Sequence, residues 1–150
     1  MNQYLHLAFE IGCNLVLLVG VIGAIFRGGV PEKWGAAILT AGFVATPLIN
    51  NHQSFQWGYV AVDVAVFVGY VILSILGRRI WIYVSTACLA ICVALHAAVL
   101  HAPMIMTYAY YTALGIWGGW APALVLAIGA WTAKPTGRKS TTIDRSVRND

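Results

Sequence analysis

Charge is what this chain has least of. Only 9% of its 150 residues are Asp, Glu, Lys or Arg, and the five acids are Glu10, Glu32, Asp63, Asp144 and Asp150. A soluble domain carries roughly 25% charged residues, so this composition excludes a globule covered by water. Catalytic motifs are missing as well. There is no Gly-x-Ser-x-Gly, no phosphate-cradling glycine loop with lysine and no His-Glu-x-x-His, which leaves the motif-borne hydrolases, nucleotide hydrolases and metallopeptidases without their chemistry. Cysteine is scarce: Cys13, Cys88 and Cys92 lie inside apolar runs, and their odd number and depth exclude an extracellular disulfide framework. No basic stretch precedes Leu5 and no Ala-x-Ala follows the first apolar run, so that run is expected to be a span and not a cleaved leader.

What remains is 60% hydrophobic, and lipid is the solvent that suits it. The apolar runs predict an all-α integral membrane protein, a bundle of about five transmembrane helices at 4–26, 34–49, 57–76, 80–100 and 112–131. Arg27-Gly28-Gly29-Val30-Pro31-Glu32-Lys33 and Gly77-Arg78-Arg79 are the breaks after the first and third runs. Pro31 and Glu32 suit a helical first turn, where a carboxylate meets the positive end of the dipole.

The nine basic residues fall in three places: Arg27 and Lys33, Arg78 and Arg79, and Lys134, Arg138, Lys139, Arg145 and Arg148. Each follows every second apolar run. By the positive-inside rule this predicts an external N-terminus and a basic cytoplasmic tail over 134–150, in a bacterial inner membrane. The net charge of +4 thus reads as orientation, with a tail suited to anionic headgroups, and gives no reason to expect nucleic acid. The stretch 103–133 is too long for one crossing and too short for two. Parity allows one, so 103–111, with Tyr108, Tyr110 and Tyr111, is expected along the outer interface, where tyrosine is at home.

With that topology, His6, His52, His96, His101, Glu10 and Asp63 all fall in the outer half. At 1.5 Å per residue Glu10 and Asp63 each lie roughly 9 Å below the boundary. His6, Glu10 and Asn14 recur every fourth residue and share a face. An ionisable side chain facing lipid is costly, so this face should point into the bundle or at a partner. Glu10, Asp63, His6, His96, Asn14 and His52 are therefore the candidate polar site. One reading makes it a metal, quinone or proton-relay site, with His6, Glu10, Asp63 and His96 as the ligands of any metal. The other makes it interhelical hydrogen bonding that fixes helix order.

Cys92 and His96 stand one turn apart and can share a soft metal, with Cys88 a turn further back. A bis-histidine haem would need His6 or His52 opposite His96. Gly115-x-x-x-Gly119 has the spacing of a close helix contact, within the chain or with a second copy. Trp34, Trp57, Trp81 and Trp131 fall at span ends, as interfacial anchors do. The leading functional expectation is a small non-catalytic subunit or accessory factor of a larger membrane complex. Its partners would be the bilayer and a membrane protein or a second copy, and no cofactor is expected. The rival is a small redox, haem or metal-binding membrane protein that uses the outer cluster. A transporter or channel protomer ranks third, because an odd helix count rules out a simple internal inverted duplication.

Overall fold

The computed structural model describes residues 3–49, 57–101 and 107–133, with side chains placed over 7–49, 57–99 and 109–133. Its elements are α1 (Gln3–Phe26), α2 (Val30–Leu48), α3 (Trp57–Gly77), α4 (Ile80–His101), α5 (Thr107–Leu114), a π-helical stretch (Gly115–Trp120) and α6 (Ala121–Thr132). No strand occurs among the described residues. Among the described residues, four helical segments are long and apolar enough to cross a membrane: Leu7–Phe26, Trp57–Gly77, Ile80–Val99 and Ala109–Thr132. The chain is thus an all-helical, multi-pass membrane protein. Helix α2 carries Glu32 and Lys33 in its first turn and lies outside that apolar set.

Each helix packs on its neighbours, so the order round the bundle is α1, α2, α3, α4, α6 and back to α1. Tyr70, Leu39, Ile82, Leu89 and Leu126 fill the axis, with Ala24, Ala123 and Ala130 where backbones approach closely. Leu15, Ile25, Ile72, Ile75 and Ile128 face outward. In water this would be a fault, and against lipid it is the ordinary surface. Because lipid tails are as apolar as leucine, cohesion must come from packing and interhelical hydrogen bonds.

The arginine-bearing end of the bundle holds several of those bonds. Helix α1 passes into α2 through Arg27–Gly29, where the Arg27 and Gly28 amides both donate to the Gly23 carbonyl. Glu32 is fully buried. Its Oε2 accepts the Gly29 N–H at 2.9 Å, which closes the start of α2, and its Oε1 accepts the Trp81 indole N–H at 3.2 Å. The Arg79 guanidinium stands 4.0 Å from the same Oε1. Trp81, expected as an interfacial anchor, is instead wedged between glycines: a Cβ at Gly35 or Gly129 would stand 2.6 or 2.5 Å from its ring. Tyr70 meets it edge-on and donates its hydroxyl to the Gly35 carbonyl at 3.0 Å. Trp34, Trp57 and Trp131 remain exposed. Arg27 lies over the Trp131 ring at 5.4 Å, so the ends of α1 and α6 are neighbours. The tight Gly77–Arg79 turn sets Arg78 at φ 45°, a left-handed conformation that costs a non-glycine residue about 1 kcal/mol.

Two boundaries differ from expectation. Helix α2 starts at Val30 instead of 34, because Glu32 caps it. The last crossing begins at Thr107, not 112, and runs through α5, the π stretch and α6 without a break. Residues 107–111, expected to lie along the interface, are thus continuous with the spanning helix, and Tyr110 reaches a buried histidine. The rest of the interfacial segment (103–106), His52 and the tail 134–150 lie outside the described residues.

Candidate functional site

At the end of the bundle opposite the arginines, three helices bring polar side chains together. Asp63 is in the second turn of α3, and His96 and Cys92 project from one face of α4, a turn apart. Tyr110 comes from α5. His96 is almost fully buried, with 2% of its side chain exposed against 25% for Asp63. His96 Nε2 lies 2.8 Å from Asp63 Oδ2, and Nδ1 lies 2.6 Å from the Tyr110 hydroxyl. With Asp63 ionised, Nε2–H donates to the carboxylate and the Tyr110 hydroxyl donates to Nδ1. The Cys92 thiol donates to the same Oδ2 at 3.4 Å. Asp63, Cys92 and His96 form a trio of possible metal-ligand atoms within 4.8 Å of one another.

Space beside this chain comes from two breaks in helical regularity. Pro47 sits inside α2; lacking an N–H, it leaves the Phe43 carbonyl without its helical donor. Across from it, the Gly115–Trp120 stretch is π-helical, and the Ala121 N–H reaches back five residues to the Ile116 carbonyl. Single π turns in spanning helices often accompany functional sites. Between them lies a cavity of about 480 Å³, whose wall includes Glu10, Phe43, Tyr59, Asp63, Tyr111 and Gly118. Gly118 matters sterically, since a methyl there would stand 2.8 Å from Cys92 Sγ.

The six candidate residues fare differently. Asp63 and His96 are in direct contact, and Glu10 shares the cavity wall with Asp63. Asn14 does not join them: it is exposed, and its amide returns to the Glu10 backbone carbonyl at 2.9 Å. That is the local alternative a short amide side chain readily takes. His6 lies in α1, but its side chain falls outside the described set, and His52 is outside it entirely. Gly115 and Gly119 make their close contacts within the chain, to Phe9 and to Cys13 and Phe43.

Of the other two participants, one escaped the sequence reading and one was read only in part. Tyr110 was assigned to the interface by residue preference, and only the register of the last helix reveals its partner. Cys92 carried a usable signal in its one-turn spacing from His96, but nothing in the sequence joined that pair to Asp63. No protein-family model, curated protein or solved structure matches this chain.

Proposed function

We propose that this chain is a small non-catalytic cation-binding subunit of the bacterial plasma membrane, with its site in the outer half of the bilayer. In this reading α2 is a fifth crossing: its 19 residues span about 28 Å at 1.5 Å each. The N-terminus is external and the basic tail cytoplasmic. Arg27, Lys33, Arg78 and Arg79 at one end of the bundle support that orientation. A membrane-protein partner or a second copy completes the assembly. The outward apolar faces of the helices, with Leu15, Ile25, Ile72 and Ile128, support that.

One observation carries the cation assignment: two carboxylates, Glu10 and Asp63, share a single cavity whose lining contains no Lys or Arg. Carboxylates in hydrocarbon are expensive and mark pathways or ligand sites by default. Phe43, Tyr59 and Tyr111 add aromatic faces that suit a positive charge.

Tetraphenylphosphonium and tetraphenylborate share size and shape and differ in the sign of their charge. A ligand that binds only the folded state raises its stability by mass action. Thermal melting of the detergent-solubilised protein should rise with the phosphonium or with divalent metal ions. It should not rise with the borate, and the Glu10→Gln/Asp63→Asn double variant should lose the response. If neither type of cation stabilises the protein more than the borate does, the cation reading fails.

A further inference from the structure

We propose that Asp63, Cys92 and His96 bind a divalent transition-metal ion of the zinc class, with Tyr110 as the residue that positions His96. This deepens the cation reading and rests on it. Carboxylate, thiolate and imidazole are together a donor set for borderline d-block ions, and they exclude calcium or magnesium as the preferred guest.

The geometry needs little adjustment. A tetrahedral zinc with bonds of about 2.3 Å to sulfur and about 2.1 Å to nitrogen and oxygen holds its N and O ligands ~3.4 Å apart and its S and O ligands ~3.6 Å apart. Here the N–O and S–O separations are 2.8 and 3.4 Å, so opening them by about 0.6 and 0.2 Å would admit the ion. Asp63 torsions can open those two separations, and the sulfur–nitrogen pair, within 4.8 Å, must settle at ~3.6 Å through Cys92 and His96. Glycine at 118 leaves Cys92 Sγ unobstructed on the side of the last helix, and a fourth coordination position is left to water.

Charge favours the same guest. The Asp63 carboxylate and a Cys92 thiolate carry two negative charges and the imidazole none, so a divalent ion makes the site neutral, as a low-dielectric interior requires. Binding releases one proton. Cys92 gives up its S–H proton to solvent. The metal takes the place of the His96 Nε2 proton, and Nδ1 acquires a proton that it donates to the Tyr110 oxygen. A histidine ligand whose far nitrogen is held by an oxygen is the usual outer-shell arrangement of metal sites, and loss of that partner typically costs 10–100-fold in affinity.

The experiment titrates the purified full-length protein with Co²⁺ and follows absorbance. The expected result is one ion per chain, with tetrahedral d–d bands and a thiolate-to-cobalt charge-transfer band in the near ultraviolet that Zn²⁺ bleaches. Cys92→Ala should lose the charge-transfer band, while Cys13→Ala and Cys88→Ala keep it. Tyr110→Phe should keep the band and weaken affinity 10–100-fold, which a merely structural tyrosine would not do. Should Cys92→Ala fail to fold, the closer isostere Cys92→Ser gives the same answer, because a hydroxyl cannot supply the thiolate band. A cobalt spectrum without the thiolate band, or a band that survives Cys92→Ala or Cys92→Ser, overturns the metal site. Stabilisation by tetraphenylphosphonium under those conditions would leave the cation reading standing without the metal, and its absence would end both.

Discussion

Replacing Glu32 by alanine removes the acceptor shared by the Gly29 N–H at 2.9 Å and the Trp81 indole N–H at 3.2 Å. Hydrogen bonds to a charged group contribute about 1.5–3 kcal/mol each, and a buried donor left unpaired loses its hydration as well. Two such bonds at a fully buried carboxylate predict a loss of about 3–5 kcal/mol, in line with breaking a buried charged contact from one side. The Arg79 guanidinium adds little to this sum. It stands 4.0 Å away with 44% of its side chain exposed, and solvent-screened pairs of that kind contribute below about 1 kcal/mol. Glutamine at 32 keeps one acceptor but turns its NH₂ towards the second donor, so it should cost about 1.5–3 kcal/mol. The expected order of destabilisation is therefore Glu32→Ala, then Glu32→Gln, then Arg79→Ala. Equilibrium unfolding in mixed micelles, followed by tryptophan fluorescence, measures all three. If Arg79→Ala costs as much as Glu32→Ala, or Glu32→Ala costs less than about 1 kcal/mol, the buried hydrogen bonds are not what holds this end together.

Gly129→Ala would set a methyl 2.5 Å from the Trp81 ring, which Glu32 and Gly35 hold in place. It should destabilise by about 1–3 kcal/mol and perturb the near-ultraviolet circular dichroism; an unchanged melt would mean that the ring is free to move aside. Asp63→Leu strands His96, whose side chain is only 2% exposed, and should cost about 1.5–3 kcal/mol. Asp63→Asn keeps a hydrogen-bond acceptor and should cost under half as much by the same unfolding assay, and equal losses would contradict this. A fluorescent protein fused after Asp150 should mature in the cytoplasm, whereas a periplasmic phosphatase fused there should be inactive. Phosphatase activity would reverse the orientation.

How much of this was legible in the sequence depended on whether the information was local. Helical rise alone put Asp63 and His96 at similar depth, since depth needs only a residue count from a known boundary. The start of α2 was legible in Pro31 and Glu32, because a cap is a three-residue affair. The second role of Glu32, towards Trp81 on α4, was not, because it depends on which helices become neighbours. Asn14 misled for a related reason: periodicity put it on the face of Glu10, but a bond to its own backbone satisfied it first. Tyr110 was hidden most thoroughly. Its preference for interfaces is real, yet it sits in the last helical run. Which way its ring points, however, is set by a departure from α-helical winding that no apolar pattern announces.

That departure gives the last crossing an unusual freedom. An extra residue in one turn rotates everything beyond it by about 100° relative to a regular α-helix. The half that carries Tyr110 is thus out of phase with the half that buries Leu126 and Ala130 against the core. The two halves can be adjusted separately. A one-residue insertion or deletion elsewhere in a spanning helix turns its whole far side to the wrong neighbours, but within 115–120 it re-aims only the end facing the cavity. Variation in length at this one stretch is therefore a route by which the pocket can change its occupant while the arginine-bearing end of the bundle keeps its packing.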